Sequence, residues 1–232
     1  MIKDALEKVI SEDLSEIWTL LDGDEKRNII DSFTLHHFKK NQIIYAEHEE
    51  PEYLWCLLKG KAKLHKDGVG GRQQILRLIR PVQYFGYRAY FAGEPYVSSA
   101  TAMEPSALGA VPMRIVSDLI DSNKAVAWFF IHELSHNLGS SDTRIVNLTQ
   151  KHIRGRLAEA ITVLCDHYGY EDDGVTLRVY MAREDLANLS NMTTSNAIRT
   201  LTAFVNEKII VVDGRQIKII NEPQLRKISK YG

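Results

Sequence analysis

The spacing of apolar residues changes character several times along the chain, and each change predicts a different kind of element. Leu6, Val9 and Ile10, then Leu14, Ile17, Trp18 and Leu21, recur at helical intervals until the polar break Asp22-Gly23-Asp24. Short helices are expected there. From residue 34 to 112 the apolar runs become short and closely spaced, at 42–45, 53–58, 61–65, 73–79 and 107–111, with Asp67-Gly68 and Gly70-Gly71 marking a hairpin. Such runs, with no long helix between them, predict an antiparallel sandwich or roll. After Pro112 the pattern turns helical, and Ile131, Leu134, Leu138, Ser141, Ile145 and Leu148 alternate steps of three and four as a coiled-coil seam does. A seam of about three heptads cannot stand alone, so it packs on a second copy or on the β-rich part, and a homodimer is favoured.

Farther on, residues 152–167 predict a helix with Leu157, Ala158, Ile161, Leu164 and Cys165 on one face. The stretch Tyr168-Gly169-Tyr170-Glu171-Asp172-Asp173-Gly174 predicts an exposed loop, and 177–180 a strand. Residues 183–207 predict two helices around a tight turn, with Leu186, Ala187 and Leu189 facing Ala197, Ile198 and Leu201. Closely crossing helices need a small residue in the first, a left-handed-tolerant one four later and an apolar one six beyond. Ala187, Asn191 and Ala197 occupy those places.

Thr193 suits the N-cap of the second helix, whose first turn reads Thr193-Thr194-Ser195-Asn196, with Arg199 following. Helix-end N–H groups and short hydroxyls bind phosphate, while longer side chains reach base edges. Thr193 and Asn196 are therefore assigned to phosphates, and Thr194, Ser195 and Arg199 to the groove floor. Two strands at 209–213 and 216–220 around Gly214-Arg215 predict the wing of a winged helix-turn-helix, with Arg215 and Lys218 as further phosphate contacts. A winged helix that contacts protein instead is the alternative, and a flat affinity across DNA sequences without salt dependence distinguishes it.

Composition changes this picture little. The net charge of -1 argues against a basic nucleic-acid binder throughout, but residues 150–232 hold 12 Lys+Arg against 10 Asp+Glu while the rest holds 17 against 20. This mild asymmetry permits a DNA-facing C-terminal part without demonstrating one, because a small excess of Lys and Arg is usually solvated surface. Cys56 and Cys165 lie far apart in no metal-ligand spacing, so a disulfide framework, a structural zinc site and a four-thiolate iron–sulfur cluster lack ligands. No run approaches the roughly 18 apolar residues of a membrane span, and the start carries acids where a signal peptide is apolar, so a cytoplasmic location without membrane partners is expected.

Taken in order, Leu57-Leu58-Lys59-Gly60-Lys61-Ala62-Lys63-Leu64, Tyr84-Phe85-Gly86, Ser99-Ala100-Thr101-Ala102, Asn147-Leu148, Gly155-Arg156-Leu157-Ala158 and Arg183-Glu184-Asp185-Leu186-Ala187 to Arg199-Thr200-Leu201 resemble the cyclic-AMP receptor protein/fumarate-nitrate regulator (CRP/FNR) superfamily over nearly the whole chain. The resemblance implies an α+β fold: a cyclic-nucleotide-binding-like β-roll, a long dimerisation helix and a C-terminal winged helix-turn-helix. It divides the chain into a sensory part, 1–150, and a DNA-binding part, 151–232. It implies a bacterial transcription regulator that binds double-stranded promoter DNA, contacts RNA polymerase and answers to a small-molecule effector.

Two positions depart from the cyclic-nucleotide-binding pattern. Tyr87 and Ser98 stand where those members carry a ribose-holding Glu and a phosphate-holding Arg, which argues against cyclic AMP. The N-terminal cysteine cluster of the oxygen-sensing branch is absent, which argues against an iron–sulfur sensor. Tyr87, Arg88, Ser98, Ser99 and the seam residue Ser141 form the candidate effector lining. Arg88 either selects an anion or pairs with Glu94. Haem is left open, with eight histidines and no assigned axial ligand.

His132-Glu133-Leu134-Ser135-His136 matches the zinc-protease pattern, in which imidazoles one helical turn apart bind the metal and the Glu activates water. Asn137-Leu138-Gly139 and Asp142 extend the match toward the longer version. That version requires the helix to end at the glycine, whereas the alternation stays in phase over 131–148. The match is read as accidental, and neither a metal nor an enzyme activity is expected. Gly68-Val69-Gly70-Gly71 lacks the Gly-Lys-Ser/Thr ending of a phosphate loop and is read as a hairpin turn.

Overall fold

The strand Tyr53–Lys59 is buried on both faces, and its alternation shows how the N-terminal half is layered: Leu54 and Cys56 enter one core, while Trp55 and Leu57 enter another. The computed structural model describes residues 15–232. The helical spacing of Leu6, Val9, Ile10 and Leu14 lies outside the described residues. In chain order the elements are α1 (Ser15–Trp18), α2 (Gly23–Ser32), β1 (Thr34–Phe38), β2 (Ile43–Tyr45), β3 (Tyr53–Lys59), β4 (Ala62–Asp67), β5 (Gln73–Ile79), β6 (Tyr84–Phe85), α3 (Tyr87–Ala92), β7 (Ser99–Ala102), β8 (Ser106–Pro112), α4 (Met113–Ser122), α5 (Lys124–Gln150), α6 (Ile153–Tyr168), α7 (Arg183–Leu189), α8 (Thr194–Asn206), β9 (Ile210–Asp213), β10 (Gln216–Ile219) and α9 (Glu222–Tyr231).

Strands β1 to β8 form two four-stranded sheets in the orders β1-β8-β3-β6 and β2-β7-β4-β5. Tyr45, Leu57, Ile79, Phe85, Ala100 and Leu108, drawn from both sheets, fill the space between them. The opposite face of β3 and β8 packs on helices through Ile29, Phe33, Met113, Leu119, Val126 and Phe130. This two-sided burial is why the sequence shows continuous apolar runs at 53–58 and 107–111 instead of strict alternation. Between β6 and α3, Gly86 adopts φ 91, and a Cβ there would lie 2.9 Å from the Tyr53 carbonyl oxygen. Only glycine suits that turn.

By contacts the chain resolves into two compact units: one reaches to Lys66 and resumes over Leu76–Gly139, and the other comprises Asp67–Ile75 with Ser140–Gly232. In the second unit α6 packs along α9 and α7 packs on α8, with Leu157, Ile161, Leu186, Ala187, Ala197, Leu201 and Phe204 buried. Strand β9 pairs with β10 from Asp213–Gln216 to Ile210–Ile219, so Gly214 and Arg215 form the two-residue wing turn. The strand expected at 177–180 is not formed. Leu177 and Val179 are buried with the period of two, yet the stretch makes one isolated bridge, Tyr170 to Leu177, with Thr176 just before it bridged to Lys218. Burial rhythm was present without a continuous edge to pair with.

Candidate nucleic-acid interface and sensor site

The helix-turn-helix is built by the three residues its spacing required. Ala187 is buried where α7 meets α8, Asn191 takes the left-handed conformation at φ 50, and Ala197 is fully buried on the inner face of α8. The Thr193 side chain accepts the Asn196 N–H at 3.3 Å and caps α8. The N–H groups of Thr194 and Ser195 lie in the first turn, where a helix offers no internal acceptor. Thr193, Thr194, Ser195 and Arg199 are all exposed, and Arg199 donates to Asn196 Oδ1 at 2.7 Å. The five residues assigned to DNA on this helix are thus gathered at one open tip, with its positive dipole end outward.

The inner and outer faces of α8 differ from expectation at one position. Ile198 was expected against α7, but it is 46% exposed and lies beside Ser195, Arg199 and Thr202. The inner face is formed by Ala197, Leu201 and Phe204, which recur at steps of four and three, and Ile198 falls outside that row.

The wing residues divide. Arg215 is exposed at the turn, whereas Lys218 is half-buried on β10 and its charge acts on Asp173. The Asp173 carboxylate accepts the Thr176 hydroxyl and the backbone N–H groups of Thr176 and Val175, and these bonds hold it down to about 2. Arg183 donates to the Gly214 carbonyl at 2.5 Å and ties the start of α7 to the wing turn.

Sequence reasoning missed a set of arginines behind the turn. Arg144 of α5 donates to the carbonyls of Ile75 at 2.7 Å and Leu189 at 2.9 Å, and Arg72 donates to Asn191 Oδ1 at 2.6 Å. Leu189 ends α7, so Arg144 satisfies a carbonyl that the helix leaves open. No local pattern announces bonds to backbone carbonyls this far away in sequence.

Around the β-roll, Tyr87 is buried and its hydroxyl accepts from Asn137 Nδ2 at 3.1 Å. Burial pushes the Tyr87 phenol up, opposed by the Arg77 guanidinium, which also hydrogen-bonds it. Neither Asn137 nor Arg77 was among the expected lining. Arg88 is exposed and pairs with Glu94 at 2.7 Å, which is the structural of its two readings. Ser99 accepts the Glu47 N–H at 2.9 Å, Ser98 is half-buried, and Ser141 is exposed on α5. Tyr87 is therefore committed to α5 through Asn137, while Arg88 faces outward to its carboxylate.

On α5 the seam residues also separate. Ile131, Leu138 and Ile145 are exposed, Leu148 is half-buried, and Leu134 packs against the helical core of the first unit. His132 and His136 are exposed, and among the described residues no group of three or more His, Cys, Asp or Glu side chains is placed to hold a metal ion. No described helix is long and apolar enough to cross a membrane.

A cyclic nucleotide-binding domain model matches residues 35–123, and a Crp-like helix-turn-helix domain model matches 155–228. The two fall in that order on the β-roll and on the winged helix just described. This chain belongs to the CRP/FNR superfamily. Among relatives, this CRP/FNR member is 22% identical over 83% of its length to 87% of a CRP-like cAMP-activated global transcriptional regulator from Mycobacterium tuberculosis. It is 23% identical over 82% of its length to 76% of the fumarate and nitrate reduction regulatory protein of Vibrio cholerae. Among solved structures, FixK2 from Bradyrhizobium japonicum superposes with a TM-score of 0.76 at 21% identity, over 84% of this chain and 96% of that one. A putative regulator of the crp/fnr family from Eubacterium rectale gives 0.77 at 16% identity, over 92% and 97%. The α+β architecture of β-roll, long helix and winged helix-turn-helix is that of the CRP/FNR fold, and the family's role is transcription regulation through DNA.

Proposed function

We propose that two copies of this chain bind a promoter as a homodimer and regulate its transcription by direct sequence reading, through an effector other than cyclic AMP. The carrying observation is the exposed tip of α8, where Thr193, Thr194, Ser195, Asn196 and Arg199 meet at an unshielded helix start. Thr193 and Asn196 anchor phosphates, Thr194, Ser195 and Arg199 face the groove floor, and Arg215 adds a backbone contact from the wing. Lys218 contributes more weakly because it also serves Asp173.

The exposed edge Ile131, Leu138 and Ile145 of α5 receives the second copy. Residues 1–150 sense and residues 151–232 read. An effector acts only by binding one seam arrangement better than the other. Tyr87 supports the exclusion of cyclic AMP, because a buried phenol bonded to Asn137 presents no carboxylate to a ribose. RNA polymerase is the second partner, and no chemical step is assigned to the chain.

Selection from a random duplex pool with the full-length protein, followed by gel-shift titration at fixed salt, tests the reading. The expected result is one enriched sequence bound at least a thousandfold tighter than random duplex, with affinity falling as salt rises. No enrichment, or affinity indifferent to salt, overturns it. Calorimetric titration with cyclic AMP should give no heat of binding, and saturable binding overturns the exclusion.

A further inference from the structure

Resting on the DNA-reading proposal above, we infer that Ile198 is a specificity-determining residue of α8 that recognises the C5-methyl group of a thymine in each half-site. Over its first turns the outer face of α8 is otherwise polar, carrying Thr194, Ser195, Arg199 and Thr202, and the next exposed apolar residue, Val205, stands two turns on beside the helix C-terminus. Ile198 stands among them 46% exposed, three residues after Ser195 and four before Thr202. Its surroundings cannot shield it, since the inner face belongs to Ala197, Leu201 and Phe204. Its own carbonyl accepts the Thr202 hydroxyl at 3.0 Å, which turns that hydroxyl back onto the helix and leaves the hydrocarbon as the group presented at this level.

A branched hydrocarbon neither donates nor accepts a hydrogen bond, so it has nothing to offer a phosphate or a purine edge. The one apolar feature on the floor of the major groove is the thymine methyl. Four residues of helix rise about 6 Å, so Ile198 reads one or two base steps along from Thr194 while remaining within the part of the helix that enters the groove. Next to it, the bond from Arg199 to Asn196 holds the guanidinium to one side, so the isoleucine is not covered by its neighbour.

The test uses the full-length protein and the duplex it selects, with each thymine replaced in turn by deoxyuridine, which lacks only the methyl. One thymine per half-site should weaken wild-type binding about fourfold when so replaced, the value expected for about 0.8 kcal/mol of methyl burial. Ile198→Ala should bind the intact duplex more weakly and show no further loss at that thymine, while Ile198→Val keeps a reduced but distinct response. A deoxyuridine effect of equal size in wild type and Ile198→Ala, or no thymine with any effect, overturns the assignment even though the protein reads DNA. Failure to select any duplex overturns the underlying reading and this inference together.

Discussion

Asn196 Oδ1 accepts a hydrogen bond from Arg199 Nη2 at 2.7 Å, so the guanidinium is held along the open side of α8, one turn beyond the capping Thr193. A side chain held in place before binding loses less freedom when it meets a base edge. Arg199→Ala should lower affinity for the selected duplex by about 1–3 kcal/mol and relax the preference at one base pair. Gel-shift titration at fixed salt measures this. Unchanged affinity removes Arg199 from the reading set.

Thr193 has a structural duty as well as a proposed phosphate contact. Thr193→Ala should destabilise the fold by about 1 kcal/mol, because the Asn196 N–H loses its acceptor, and Thr193→Asp should restore stability without restoring DNA affinity. Urea denaturation followed by circular dichroism reads the first effect and gel shift the second. If Thr193→Asp binds DNA as wild type does, Thr193 makes no phosphate contact.

Leu138 is 64% exposed and Ile145 60% exposed on one edge of α5, at positions whose spacing suits a coiled-coil seam with a second copy. Leu138→Glu should place like charges across the seam and turn the dimer into a monomer at micromolar concentration, while far-ultraviolet circular dichroism stays unchanged. Sedimentation equilibrium measures it. A dimer of undiminished strength would place the interface elsewhere.

Asp173 ties the loop before the extended stretch to Thr176 and Val175. Its folded carboxyl is held down to about 2, first by the Thr176 hydroxyl, against 3.8 ordinarily. A depressed carboxyl contributes stability above its unfolded pKa and loses that contribution as pH falls through the folded value, so the contribution erodes between about pH 4 and pH 2. Carbon-detected NMR titration should find the Asp173 midpoint near 2 and a higher midpoint in Thr176→Val. A midpoint near 4 in both would contradict this.

Much of the architecture was legible in the sequence because local chemistry and tertiary need agree there. Thr193 caps α8, Asn191 takes the positive φ, and Gly214-Arg215 closes the wing, each as its residue type dictates. The rest depended on partners that no window contains. Ile198 and Ala197 are neighbours of similar apolar character, and only the placement of α7 decides which is buried. Leu134 fits the seam rhythm equally well, yet a core beside one edge of α5 takes it. Arg72, Arg77 and Arg144 read as surface charge until the carbonyls and the phenol they meet are located. The charge that Lys218 shares with Asp173 is likewise invisible in a local window, because the two lie 45 positions apart in the chain.

Whether two α8 tips enter one duplex together is read by a hydroxyl-radical footprint of the full-length protein on its selected duplex. Two protected segments of related, inverted sequence are expected, centred about 34 Å apart along one face of the DNA. A single protected segment, or uniform protection along the duplex, would contradict it.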